Sequence, residues 1–211
     1  AKDYLPTASL QEAGTFYKNL LKKNYDKELI KELAKVDRWF LLVVLLNRKD
    51  AVHPWLYDRC REVEKSPDGM LDLWARGHYK STLITYAGTI QEILKNPNIT
   101  IGIFSHTRPI AKGFLKQIKR EFEVNEFLRD LYPDVCYKNP RQDSPQWSED
   151  AGIIVRRKSN PKEATVEAWG LVDGQPTSRH YDLRIYDDVV TRDSVNTPDQ
   201  ISKTTEALDL S

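Results

Sequence analysis

The sequence predicts an α/β fold, a mostly parallel sheet flanked by helices and preceded by a helical amino-terminal segment. Three observations predict it. Residues 1–66 carry helical apolar spacing only, in Leu10-Phe16-Leu20-Leu21 and again in Leu29-Leu33-Val36-Phe40. The turn signal Ser66-Pro67-Asp68-Gly69 ends that pattern. Beyond it, short apolar runs alternate with amphipathic helices, the order that favours parallel strands covered on both faces. The chain therefore divides into a helical region, 1–66, and an α/β core, 67–211.

The elements follow in order. Trp39–Leu46 reads as a fully buried helical segment, and His53-Pro54 opens a helix through Trp55, Leu56 and Cys60. Met70–Trp74 reads as a short strand, Lys80–Lys95 as a helix ended by Asn96-Pro97-Asn98, and Ile99–Phe104 as a buried strand. Thr107 or Arg108 then starts a helix with Pro109 in its first turn, running to about Glu123. The Pro, Asp, Asn and Ser of 131–148 predict an irregular connection. Gly152–Arg156, Ala164–Leu171 and Leu183–Tyr186 read as strands, and Thr197-Pro198 caps a final helix to Leu208.

Composition narrows the function. The 211 residues are 40% hydrophobic and 30% charged, an ordinary globular balance rather than a disordered one. Thirty-two Lys and Arg against 31 Asp and Glu leave a net charge of +1, so any polyanion must meet a local patch. The longest apolar run, Trp39–Leu46, has eight residues, against the ~20 of a membrane span. Cys60 and Cys136 stand far apart without metal-type or disulfide-framework spacing, which predicts free thiols in a reducing, cytoplasmic setting.

The chemistry concentrates in Leu71-Asp72-Leu73-Trp74-Ala75-Arg76-Gly77-His78-Tyr79-Lys80-Ser81-Thr82, a strand, a turn and a helix opening on Lys-Ser-Thr. A turn at a helix amino terminus presents backbone N–H groups to phosphate, a Lys adds a point charge, and a Ser hydroxyl can ligate Mg²⁺. The pattern departs from G-x-x-x-x-G-K-S/T, with Trp74 and Tyr79 at the glycine positions. About a hundred residues later, Asp187 and Asp188 close the strand Leu183–Tyr186. Ligands of open α/β sheets bind beyond the carboxyl ends of the strands. One carboxylate there can hold Mg²⁺ and the second can orient the attacking water of phosphoryl transfer.

Together, Ala75–Thr82 and His180-Tyr181-Asp182-Leu183 through Asp187-Asp188 resemble the R-G-H-x-K-S-T and H-x-D-L…D-D segments of the large terminase subunit of tailed double-stranded DNA bacteriophages. Ser105-His106-Thr107 and Thr165–Gly170 fall in similar order, so the likeness covers about residues 50–210. The resemblance implies a P-loop NTPase domain of the additional-strand, RecA-like type that hydrolyses Mg-ATP to move duplex DNA into a procapsid. It implies that Arg76, Gly77, His78, Tyr79, Lys80, Ser81 and Thr82 hold ATP, with Lys80 on the β/γ-phosphates and Arg76 on the γ-phosphate. Ser81 and Asp187 would hold Mg²⁺, and Asp188 would be the catalytic carboxylate, one methylene shorter than the family's frequent Glu. Its implied partners are duplex DNA, a portal protein, a small terminase subunit and further copies of the chain in a ring, in the cytoplasm of an infected bacterium and with no membrane contact. No acidic cluster of a nuclease follows Asp193, and the sequence stops at Ser211 before the strand of the family's coupling motif. The expectation is thus an ATPase fragment, monomeric and slow or inactive by itself.

The resemblance also implies that a neighbour's cation completes each site of the ring; Arg156 and Arg157 are the candidates, with Arg141 behind them, and a solvated strand end is the alternative for each. Arg108, Lys112, Lys116 and Arg120 recur every four residues as a stripe that can follow a DNA backbone without reading bases, a solvated surface being the alternative, while Ala111, Leu115, Ile118 and Phe122 face the sheet. His53-Pro54-Trp55 and Tyr57-Asp58-Arg59 offer stacking and polar groups for adenine, with a place in the core as the alternative for Trp55. His78 has no second ligand at metal spacing and supports the loop backbone, and His180 orients the entry to the acidic strand. Two rival readings stay open: a helicase-like DNA-remodelling ATPase on the same fold, and a nucleic-acid-binding or assembly module whose degenerate loop binds no nucleotide.

Overall fold

The computed structural model describes residues 9–22, 26–65, 69, 71–174, 176 and 178–210. They form two compact units, Ala1–Lys95 with Asn125–Tyr132, and Asn96–Val124 with Pro133–Ser211.

The first unit is helical. It runs through α1 (Leu10–Lys22), α2 (Lys27–Val36) and the short α3 (Arg38–Phe40), which passes into a π-helical turn, Leu41–Leu45. A 3₁₀ turn, Lys49–Ala51, leads to α4 (Pro54–Lys65). After the loop at 71–79 comes π-helical Thr82–Gly88, continued by α5 (Thr89–Lys95). Ile30, Leu33, Phe40, Leu41, Leu42, Leu83, Ile90 and Ile93 are fully buried and form the apolar core. Val43 and Val44 are only half-buried, so Trp39–Leu46 is not the uniformly buried segment its sequence predicts. The reason is geometric: a helix presents all sides in turn, and the core covers only part of the circumference. Met70 lies outside the described residues. Leu71–Ala75 has no regular secondary structure and joins no ladder, with Leu71 82% and Leu73 84% exposed, which corrects the predicted strand over 70–74. A strand needs a neighbour for its backbone groups, and every element of this unit among the described residues is a helix or helical turn.

The second unit contains a five-stranded sheet in the order β2-β3-β4-β1-β5. Its strands are β1 (Ile101–Ser105), β2 (Trp147–Ser148), β3 (Gly152–Ile153), β4 (Val166–Gly170) and β5 (Leu183–Tyr186). β1 lies parallel to both β4 and β5, with Ile103 opposite Ala168 and Ile185. β2–β3 and β3–β4 are antiparallel, so the sheet is mixed and the expectation of a mostly parallel one is corrected. The link between Ser148 and Gly152 is a hairpin connection, far too short for the crossover that parallel strands require. Gly152 closes it at φ +104°, where any Cβ would stand 2.6 Å from the Val166 carbonyl oxygen.

α6 (Arg108–Val124) packs its buried Ala111, Leu115, Ile118 and Phe122 on β1 and β4. α7 (Glu126–Leu131), capped by Asn125, belongs to the helical unit, and α8 (Pro140–Asp143) to the sheet unit. α9 (Pro198–Asp209) is capped by the Thr197 side chain, which accepts from the Gln200 N–H. Among the described residues no helix is long and apolar enough to cross a membrane.

Candidate functional site

The loop that carries Lys80 belongs to the helical unit. Its turn is closed by the His78 N–H donating to the Ala75 carbonyl at 3.3 Å, with Gly77 at φ +81°. An added Cβ on Gly77 meets nothing within 4 Å, so glycine serves here for backbone conformation and not for space. Tyr79, at the second glycine position of a phosphate loop, takes φ +64°, the left-handed conformation that glycine adopts without strain. Its carbonyl accepts the Leu83 N–H at 2.9 Å, the first turn of the helical stretch, and thereby sets Lys80, Ser81 and Thr82 in that turn. His78 Nδ1 lies 3.1 Å from the Arg76 carbonyl oxygen, and its ring meets Trp55 edge-on at 5.4 Å. Trp55 also meets Trp74 edge-on at 5.1 Å, and the Arg59 guanidinium lies over the Trp55 ring. Of the residues proposed for adenine, Trp55 and Arg59 thus share one cluster with Trp74 and His78 of the loop, while Tyr57 is buried against Trp39.

The Tyr79 hydroxyl donates to Asp50 Oδ2 at 2.8 Å. Arg48 forks the same carboxylate, Nε to Oδ1 at 3.1 Å and Nη2 to Oδ2 at 2.8 Å. The Arg48 hydrogen bond, reinforced by that of Tyr79, holds Asp50 well below the usual carboxylate range. The same hydroxyl contact pushes the Tyr79 phenol up. Sequence reading missed Arg48 and Asp50; their only signal is an Arg-x-Asp beside the end of an apolar run.

The acidic strand end belongs to the sheet unit. Asp187 is buried, its N–H donating to the Phe104 carbonyl at 2.9 Å, while its own carbonyl accepts the Ser105 hydroxyl at 2.7 Å. Asp188 is exposed at φ +50°, so the backbone reverses hand between the two carboxylates. The other end of β5 is pinned as well: Asp182 Oδ2 accepts both the N–H and the hydroxyl of Thr100 at 2.9 Å. The His180 N–H donates to Glu163 Oε1 at 3.0 Å at the entry to this strand. Behind it, buried Glu167 accepts the Tyr181 hydroxyl at 2.6 Å and the Ala164 N–H at 2.7 Å.

The basic residues divide by engagement. Arg156 is exposed and donates through Nη1 to the Pro133 carbonyl at 2.8 Å; half-buried Arg157 donates through Nη2 to the Glu163 carbonyl at 2.9 Å. In the α6 stripe, Arg108 donates to the Asp150 carbonyl and lies over Trp169, and Lys112 pairs with the Asp150 carboxylate at 2.6 Å. Lys116 and Arg120 are exposed. Arg141 forks Glu123, Nε to Oε1 at 3.0 Å and Nη2 to Oε2 at 3.1 Å, and Trp147 Nε1 donates to Oε1 at 2.9 Å. The Arg141 hydrogen bonds, with that of Trp147, hold the Glu123 carboxyl below its ordinary range. A depressed carboxyl stabilises the fold above its unfolded pKa of about 4.3, and the contribution disappears as pH falls through the lower folded value. Thermal melts between pH 6 and 3 are expected to show an acid loss of stability that is smaller in Glu123→Gln; an unchanged slope in that variant would contradict the assignment.

No protein-family model and no curated protein matches this chain.

Proposed function

We propose that the chain is a P-loop ATPase domain of the kind found in the large terminase subunit, hydrolysing Mg-ATP to move double-stranded DNA into a procapsid. The observation that carries this reading is the backbone before Lys80: Gly77 and Tyr79 are both left-handed, and the helical turn begins directly after them. Alternation of hand along a short backbone stretch makes anion-binding concavities, and a Lys and a Ser follow at the positions that phosphate and Mg²⁺ require. On this reading Arg76 and Lys80 neutralise the phosphates. Ser81 and Asp187 supply the hard oxygen donors that Mg²⁺ takes, few in number because the ion keeps waters and phosphate oxygens. Bound Mg²⁺ would neutralise charge on the β/γ-phosphate oxygens. Asp188 orients the attacking water and accepts its proton.

Of the arginines proposed to act on a neighbour's site, Arg156 is favoured, because it is exposed while Arg157 staples the 161–163 segment of its own chain. Lys116 and Arg120 are the DNA-facing half of the stripe, since Arg108 and Lys112 are engaged with Asp150. Ring assembly, portal and small-subunit contacts, and action in the cytoplasm of an infected bacterium belong to the same proposal. A helicase-like ATPase would use the same phosphate site, and preference for single strands over duplex would favour it.

The test is calorimetric titration of a slowly hydrolysed ATP analogue with Mg²⁺. Lys80→Ala, folded as judged by its melt, is expected to bind about ten- to a hundredfold more weakly than the wild type, the worth of charge-assisted phosphate hydrogen bonds. Equal binding by both would move the phosphates off this loop. Absence of binding by both would favour the assembly-module reading, for which the unpaired, exposed Leu71 and Leu73 and the Trp74 in place of glycine are the specific observations.

A further inference from the structure

We infer that Arg48 and Asp50 are positioning residues for the loop, holding Tyr79 in the left-handed backbone conformation and, through it, fixing the path of residues 76–81; the relevance to nucleotide rests on the phosphate-binding reading above. A large side chain at φ +64° is disfavoured by its Cβ, and such a residue persists only where its surroundings over-determine it. Here the constraint is applied at the far end of the side chain. The phenol is a rigid lever whose hydroxyl donates to Asp50 Oδ2 at 2.8 Å, across 29 residues of sequence.

The acceptor is itself fixed twice. The Arg48 fork orients the carboxylate, and the Arg48 guanidinium lies 5.8 Å above the Tyr79 ring, so one cation contacts both partners. The backbone under them is the 3₁₀ turn, closed by the Ala51 N–H to the Arg48 carbonyl at 3.0 Å and the Val52 N–H to the Lys49 carbonyl at 3.2 Å. Fully buried Ala51 anchors that turn, its carbonyl accepting Trp39 Nε1 at 3.2 Å. The chain enters the turn through Asn47 at φ +52°, a residue type that tolerates this conformation. Glycine would hold the loop by its own backbone freedom; this chain holds a tyrosine there by a side-chain tether to the helical core.

The experiment is a double-mutant cycle in the full chain between Asp50→Ala and Tyr79→Gly, with two readouts. The first is amide hydrogen exchange of residues 76–81 without nucleotide; the second is affinity for the Mg²⁺-loaded ATP analogue. Asp50→Ala is expected to speed loop exchange and to weaken binding about five- to tenfold, as loss of one charge-assisted hydrogen bond does. Tyr79→Phe, which removes only the hydroxyl, is expected to reproduce both effects. In the Tyr79→Gly background, Asp50→Ala should change neither readout, because glycine reaches the left-handed conformation without a tether. Equal effects of Asp50→Ala in both backgrounds, or no effect on exchange in either, would overturn the inference. If wild type binds no nucleotide while exchange still shows the coupling, the positioning role stands and the phosphate-binding reading falls.

Discussion

Asp37→Ala is expected to lower the stability of the helical unit by about 3–5 kcal/mol, the cost of stripping one partner from a buried ion pair. Asp37 is fully buried between α2 and α3. Its Oδ1 accepts the Phe40 N–H at 2.9 Å, capping the helical stretch that continues into the π-turn, and Arg61 Nη2 also donates to Oδ1. Oδ2 accepts the Tyr17 hydroxyl, whose pKa is pushed far up, first by burial and then by the Asp37 charge. One carboxylate therefore ties α1, α3 and α4 together. Without it Arg61 keeps Glu64, at 2.8 Å, and the face of the Tyr57 ring, in a site where its side chain is 10% exposed. Asp37→Asn keeps an acceptor for the cap and should lose less, whereas neutralising the whole network as Asp37→Leu with Arg61→Met and Glu64→Gln should recover much of the loss. Urea unfolding followed by tryptophan fluorescence, to which Trp39, edge-on against Tyr57 at 5.3 Å, contributes, reads all three. A loss under about 1 kcal/mol for Asp37→Ala would show the network to be incidental.

That network also marks where sequence reading stops. Local signals were legible: Thr197-Pro198 opens α9, Leu183–Tyr186 forms a strand, and the α6 apolar positions are the buried ones. Each is set by residues within a turn or two of one another. Asp37 and Arg61 are 24 residues apart, and either alone reads as a surface charge. The mixed sheet was hidden for a similar reason. Gly152–Arg156 shows strand composition but pairs only at Gly152 and Ile153, after which the Arg156 N–H donates to the Val135 carbonyl, outside any ladder. In the candidate site, the order Gly-His-Tyr-Lys-Ser located the loop. The departure at Tyr79 left its conformation open, and what settles that conformation is Asp50, a long-range partner with no local signature.

Asp188→Asn is expected to lower single-turnover ATP hydrolysis at least about a hundredfold while changing analogue affinity by no more than about twofold, if Asp188 is the group that orients and deprotonates water. The substitution is unusually clean at this position. Asp188 sits at φ +50°, and Asn, like Asp, enters the left-handed region readily, so charge is removed with the backbone turn retained. Asp188→Ala would confound the two, since alanine gains nothing locally to hold that conformation. The neighbouring carboxylate should behave differently. Asp187 is buried at the strand end, its backbone N–H bonded to Phe104 and its carbonyl to Ser105, and its proposed work is on Mg²⁺. Asp187→Asn should therefore weaken the Mg²⁺ dependence of binding as well as turnover. Loss of binding in Asp188→Asn with Mg²⁺ dependence unchanged in Asp187→Asn would reverse the two assignments. Equal turnover in wild type and Asp188→Asn would remove this strand end from the chemistry altogether. Single-turnover conditions with protein in excess matter here, because a slow site still yields one measurable cycle per molecule.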